Sequence, residues 1–95
     1  MNKTEHTLEL IRTAHRAVSD ELARSATGTG VVGTPVQLTS VKQKLEEMER
    51  AITSDALPPR PLRHRGMGRM VSDSWPLGSS LGEMVLSAES AYVQL

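Results

Sequence analysis

The sequence has no cysteine and no phenylalanine, and tryptophan and tyrosine each occur once in 95 residues. Without cysteine the chain has no disulfide, no thiolate zinc ligand and no cysteine nucleophile. Because aromatic residues are so scarce, the core has to be built from Leu, Val, Ile, Met and Ala, which suit helices better than a β-sandwich or barrel. The composition therefore predicts a single all-α domain over residues 1–95.

Net charge is also lacking, because 11 Lys and Arg residues balance 11 Asp and Glu residues. A neutral chain has no general affinity for polyanions, so we expect neither nucleic acid nor a membrane as a partner. No apolar run approaches the roughly 18 residues that span a bilayer. The N-terminal sequence MNKTEHTLEL has no secretory signal pattern. These features predict a cytoplasmic protein.

Two amphipathic stripes with helical spacing are the strongest positive signal. Apolar side chains recur at intervals of three and four, with one histidine among them: Leu8, Ile11, His15, Val18 and Leu22, then Leu38, Val41, Leu45, Met48 and Ile52. We expect helix 1 over about 3–26, capped by Asn2, and helix 2 over about 35–54, capped by Thr34 before Pro35. The two stripes predict an antiparallel helical hairpin.

The turn between these helices, residues 27–34, contains GTGVVG, which matches the GxGxxG pattern of dinucleotide-binding loops. Such a loop joins a strand to a helix, and an acidic residue about 20 positions further on binds ribose. Here the stretch follows a helix, and a charged helix occupies the later segment. We interpret it as a turn in which Gly28 ends helix 1 and Val31 with Val32 covers the hairpin tip, and we expect no cofactor.

Two further elements follow the hairpin. A third helix is predicted over about 81–94, because Ser80 and Glu83 have capping-box spacing before an apolar face: Leu81, Met84, Val85, Ala88, Tyr92 and Leu95. We expect this helix to pack on Leu10, Ala14 and Ala17 of helix 1. Residues 56–79 hold four of the five prolines and predict an extended Pro/Arg-rich connector with one helical turn around 67–73.

Residues that carry chemistry do not assemble into a catalytic or metal-binding motif. His15 has no second ligand at metal spacing on its helix face, so we expect a partly buried histidine that donates to a neighbour. Ser72 and Ser74 stand near Asp73, but no GxSxG elbow presents either hydroxyl as a nucleophile. We therefore expect a protein that is not an enzyme and binds no metal.

Charged side chains and the single tryptophan are the candidates for binding a partner protein. The predicted surface combines the outer face of helix 2 with the Arg-rich connector: Lys42, Glu46, Glu47, Glu49 and Arg50, then Arg60, Arg63, Arg65 and Arg69. Alternatively, the connector arginines fold against the glutamates of helix 2. Trp75 either plugs the open end of the hairpin with Pro76 and Leu77, which the shortage of large core residues favours, or anchors a partner.

Three short segments resemble the small cognate immunity proteins that bacteria encode beside polymorphic or contact-delivered toxins: GVVGTPVQL at 30–38, DSWPLGSSLGE at 73–83 and AESAY at 88–92. The resemblance implies a helical hairpin with a C-terminal element, and an inhibitor that binds one toxin or effector domain tightly. It carries over no individual site residue. Two other functions stay open, namely a homo-oligomeric adaptor, chaperone or phage accessory protein, and a binder of small anions such as nucleotides.

Overall fold

The computed structural model describes residues 2–30, 32–63, 66–76 and 78–95. Its helices are α1 (Lys3–Ala26), α2 (Pro35–Thr53), α3 (Met67–Ser74) and α4 (Ser80–Gln94), and one turn of 3₁₀-helix, Arg60–Leu62, precedes α3. α1 pairs with α2, and α4 packs on α1. The all-α class and the hairpin with a further helix packed on it are therefore confirmed.

Side-chain caps begin the two long helices. The Asn2 carboxamide oxygen accepts a hydrogen bond from the Glu5 backbone N–H at 2.8 Å. At α2 the capping box is reciprocal, since the Thr34 hydroxyl accepts from Gln37 N and Gln37 Oε1 accepts from Thr34 N, both at 3.1 Å. Pro35 occupies the first turn, where no backbone N–H is needed.

The hairpin core consists of the two predicted stripes. Fully buried side chains come from both helices: Ile11 and Val18, with Leu38, Val41, Leu45 and Met48. Burying an aliphatic side chain of this size contributes about 1.5–3 kcal/mol relative to leaving it exposed. The contact between the stripes is therefore a principal source of the stability of α1 and α2.

α4 lies on the other flank of α1, and its inward side chains join the core: Leu81, Val85, Ala88 and Tyr92. Fully buried Ala14 permits this close approach. Two expectations were wrong. The cap is Ser79 rather than Ser80, because Ser79 Oγ accepts from Gly82 N at 3.1 Å. Met84 is 37% exposed, because it lies at the edge of α4 above α1 rather than on its inward face.

The helical turn expected in the connector around 67–73 is present as α3, a helix of eight residues that packs on α4 and buries Met67 and Val71. The residue that precedes α3, Gly66, has no side chain to cap it. Instead, the buried carboxylate of Glu89 in α4 accepts hydrogen bonds from Met67 N at 3.3 Å and Gly68 N at 3.0 Å. The cap of α3 is therefore supplied by a residue more than 20 positions away, which local pattern analysis does not detect.

Trp75 is 4% exposed and belongs to the core, so the interpretation as a partner anchor is wrong. Its indole N–H donates to Gln37 Oε1 at 3.2 Å. The ring lies on the backbone of Gly33, where a Cβ would stand 2.7 Å from the indole nitrogen. This places Trp75 at the turn of the hairpin rather than at its open end, because α3 runs antiparallel to α4 and ends beside the start of α2. Pro76 is exposed, and Leu77 lies outside the described residues.

A buried carboxylate fastens the glycine-rich turn to α1. Glu21 accepts from Val32 N at 2.8 Å through one oxygen and from Arg24 Nη2 at 2.7 Å through the other. Gly28 has a φ of +82° just after α1 ends, as expected of a residue that terminates a helix. Val32 is half-buried against the core, and Val31 lies outside the described residues.

Candidate protein-binding surface

A band of alternating charge runs along one edge of the α1–α2 hairpin. We call it the charged seam and define it as Arg12, His15, Lys42, Glu46, Glu49 and Arg50. Arg12 Nε lies 2.6 Å from Glu49 Oε2, and His15 Nε2 lies 2.8 Å from Glu46 Oε2. All four side chains are between about one third and one half exposed. The seam is therefore both pre-positioned by internal contacts and accessible to a partner.

The electrostatics of the seam are centred on Glu46. The hydrogen bond from His15 lowers the pKa of the Glu46 carboxyl below its ordinary value, partial burial opposes this shift, and the charges of Lys42 and Arg50 reinforce it. His15 is half-buried and acts as the expected donor to a neighbour, because the ionised carboxylate accepts its Nε2–H. The carboxylate and imidazole therefore occupy fixed positions on this edge.

The structure corrects the predicted outer face of helix 2. Glu46 and Glu49 do not point away from the hairpin, because each forms a hydrogen bond with a side chain of α1. Glu47 and Arg50 are exposed, and Lys42 is half-buried. α1 therefore contributes half of the paired groups on this face.

The sequence analysis did not single out Arg12, and it predicted His15 as a donor to a neighbour but not as part of this surface. The two pairs have the same spacing on both helices. Arg12 and His15 are three residues apart on α1, and their partners Glu49 and Glu46 are three residues apart on α2, in the opposite order. Once the register of the antiparallel hairpin is known, opposite charges at this spacing are expected to face each other.

The connector arginines have separate partners. Arg60 Nη2 donates to the Gln94 carbonyl oxygen at 3.4 Å, near the negative end of the α4 dipole. Arg63 Nε donates to the Pro58 carbonyl oxygen at 2.7 Å. Arg69 is 90% exposed, and its Nε lies 3.7 Å from a carboxylate oxygen of the residue one turn further along α3.

No two of these three arginines share a hydrogen-bonding partner among the contacts of the described residues. Glu46 and Glu49 pair with α1, so neither neutralises Arg60, Arg63 or Arg69. The ion pair between Arg69 and the α3 carboxylate is highly exposed, and such pairs contribute about 0–1 kcal/mol. Arg65 and the neighbouring His64 lie outside the described residues.

A second surface is the groove between α1 and α4, which the sequence analysis missed because it placed Met84 in the core. One half has a volume of about 570 Å³ and is lined mainly by small and polar side chains, among them Thr7, Ser90 and Ala91. The groove continues past Ser87 to Leu10 and Met84. We call this the α1–α4 groove.

The described residues contain no group of three His, Asp or Glu side chains that is placed to hold a metal ion. None of the helices in the described ranges combines the length and the hydropathy that crossing a membrane requires. In comparisons with known proteins, no protein family and no curated protein matches the chain.

Proposed function

We propose that this chain is a small non-catalytic protein-binding module that acts as an immunity- or antitoxin-like inhibitor, binding and neutralising a partner toxin or effector domain. The observation that carries the binding role is the charged seam, in which fixed positive and negative groups alternate across two helices. The class of partner comes from the resemblance of residues 30–38, 73–83 and 88–92 to cognate immunity proteins.

The pattern of charge in the seam favours a protein over a polyanion. A nucleic acid or a row of phosphates would meet the carboxylates of Glu46 and Glu49 beside every cation, which is repulsive. A protein surface with the opposite alternation would gain contacts from both signs, and such complementarity raises association rates and excludes wrong partners. The seam is therefore suited to selective recognition of one protein.

Two physical properties of the seam assist binding. The internal pairs of Arg12 with Glu49 and His15 with Glu46 restrict these side chains before a partner arrives, which reduces the entropy lost on association. Exposed ion pairs contribute only about 0–1 kcal/mol to stability, so exchanging them for contacts with a partner costs the fold little.

The test first looks for a toxin or effector domain encoded beside this chain and then uses that domain as the partner. We expect an equimolar amount of the chain to abolish the activity of that domain, and calorimetry to show one tight site. Arg12→Glu and Glu49→Arg should each weaken binding by about tenfold or more, because each reverses one charge of the seam. Glu9→Arg, at an exposed position of α1 outside the seam, is the matched control.

The double variant Arg12→Glu, Glu49→Arg separates recognition from folding. It restores an internal ion pair and should therefore be as stable as the natural chain, but it presents the opposite polarity and should still bind weakly. Tight binding by both single variants would refute the seam as the recognition surface. An adjacent domain whose activity the chain leaves unchanged would refute the inhibitor function.

A further inference from the structure

We propose that the α1–α4 groove is the interface of a symmetric homodimer, in which Met84 of each copy enters the groove of the other. This inference is independent of the proposed inhibitor function. The charged seam lies where α1 meets α2, whereas the groove lies where α1 meets α4 on the other flank of α1. A toxin on the seam and a second copy on the groove would not compete.

The groove has the geometry that a twofold axis requires. It follows α1 from Lys3 to Thr13, a span of about 15 Å at 1.5 Å per residue. α4 runs antiparallel to α1 beside it, and Leu10 and Ser87 line its middle. A twofold axis through this midpoint would exchange the two ends of the groove, so that each end of one copy meets the other end of its partner.

The two ends of the groove differ in volume and in lining. One end is the hollow of about 570 Å³, where Thr7 and Ala91 leave room. The other end is a smaller hollow of about 290 Å³, and Met84 lines it with an apolar side chain that is 37% exposed. Met84 comes three residues before Ser87 and Ala91 four after it, so the two lie about 5 Å and 6 Å from the midpoint along α4. Rotation about the axis therefore brings Met84 over the hollow of the other copy, and methionine adapts readily to such a site.

The two ends also have complementary charge. Lys3 and His6 line the hollow, and Glu83 lines the end that carries Met84. The same rotation brings Glu83 of each copy to Lys3 and His6 of the other, so the attraction occurs twice. An arrangement with the two copies parallel would place like charges together.

The size of this face suits a dimer. A standard interface takes roughly 800 Å² from each partner, which is about one seventh of the 5695 Å² surface of this chain. The body measures 39 × 22 × 22 Å, so a long side formed by two helices offers enough area. A chain of 95 residues also has only a modest core, and burying apolar surface between copies adds to its stability.

Sedimentation equilibrium over about 1–200 μM tests the proposal, because a dimer of this kind dissociates with dilution. We expect a monomer–dimer equilibrium. Met84→Lys should weaken the dimer by about tenfold or more, because it brings a positive charge to the hollow that Lys3 and His6 of the other copy line. Val36→Lys is the matched control, since Val36 is an apolar side chain on α2 that is 80% exposed and lies away from the groove. It should leave the equilibrium unchanged.

Two further variants test the symmetry. Because the chain has no cysteine, Ser87→Cys places its only thiol near the axis and should give a disulfide-linked dimer on mild oxidation. Gln43→Cys, at an exposed position on α2, should not. Glu83→Lys should weaken the dimer, and adding Lys3→Glu should restore it.

A monomer at every concentration would overturn the proposal and leave the groove to another occupant, without bearing on the inhibitor function. A dimer that Met84→Lys leaves intact, or that Gln43→Cys captures as readily as Ser87→Cys, would show that the copies associate through a different surface. It would equally overturn the proposal. Circular dichroism of each variant verifies that the helices are retained.

Discussion

The cap that α4 provides for α3 yields a sharp prediction for Glu89→Gln. The substitution keeps the size of the side chain and one carbonyl oxygen, but it replaces the second oxygen of the carboxylate by an NH₂ donor. The backbone N–H groups of Met67 and Gly68 both donate to the Glu89 carboxylate. In the variant, one of these two N–H groups would face another donor. Met67 is fully buried, so water does not readily replace the lost acceptor.

The expected loss of stability follows from these contacts. A hydrogen bond to a charged group contributes about 1.5–3 kcal/mol, and an unsatisfied buried donor costs about 1–3 kcal/mol. The carboxylate also lies at the positive end of the α3 dipole, which adds about 0.3–1 kcal/mol. These effects overlap, and we expect Glu89→Gln to lower the free energy of unfolding by about 2–3 kcal/mol. In a domain of this size that corresponds to roughly 10–20 °C in Tm.

Urea denaturation monitored by two signals measures this effect. The single tryptophan, Trp75, directly follows α3 and reports on its packing, while far-UV circular dichroism reports mainly on the longer helices. Glu9→Gln, at an exposed position of α1, is the control for loss of one carboxylate. If Glu89→Gln unfolded at the same urea concentration as the control, the carboxylate would not stabilise α3 and the capping argument would be refuted.

Three further predictions test the hairpin and its turn. Gly33→Ala should lower the free energy of unfolding by about 2 kcal/mol or more, because it combines a φ of +70° with a Cβ 2.7 Å from the indole nitrogen. Gly28→Ala has open space around the new Cβ, so it should lower the free energy of unfolding by only about 1 kcal/mol, for its left-handed backbone. Leu45→Asp should unfold the chain, since a lone charge at this fully buried position has no partner, and retained helicity would show that the hairpin is wrong. Hydrogen bonding from His15 lowers the pKa of Glu46 in the folded state. The ionised Glu46 carboxylate therefore stabilises the fold fully above the ordinary glutamate pKa of roughly 4.3, and this stabilisation is lost as the pH falls through the lowered pKa. In thermal denaturation, the Tm of Glu46→Gln should therefore fall less between about pH 6 and about pH 3 than the Tm of the natural chain does.

Local signals in the sequence were sufficient for the hairpin. The stripes and the Thr34–Gln37 capping box are patterns within one helix, and helix periodicity and capping chemistry act at that range. The helical turn expected around 67–73 lies where α3 is found, but the full length and the packing of α3 were not predicted, because its stability comes from distant groups. Its N-terminal cap is Glu89 and its core contacts lie on α4, so residues 56–79 alone do not show what stabilises this helix.

The surfaces were harder to predict than the helices. The sequence places Glu46 and Glu49 on a charged stretch of helix 2, but their pairing with α1 depends on the register between two helices. The exposure of Met84 depends on how closely α4 approaches α1, which the periodicity of α4 alone does not fix. Trp75 was correctly favoured as a core residue and wrongly placed, because the direction of α3 was not known.

The position of Trp75 has a consequence for the order of folding. α1 and α2 are joined by the short turn of residues 27–34, so their contacts close a small loop and form early. Trp75 meets Gln37 across 38 positions of sequence, so we expect this contact to form later than those within the hairpin. Substitutions of buried residues at the contact between the two stripes should therefore slow refolding. Substitutions that weaken the packing of Trp75 should mainly accelerate unfolding. Packing of Trp75 is therefore expected to be a late step of folding, which fixes the second half of the chain on the hairpin.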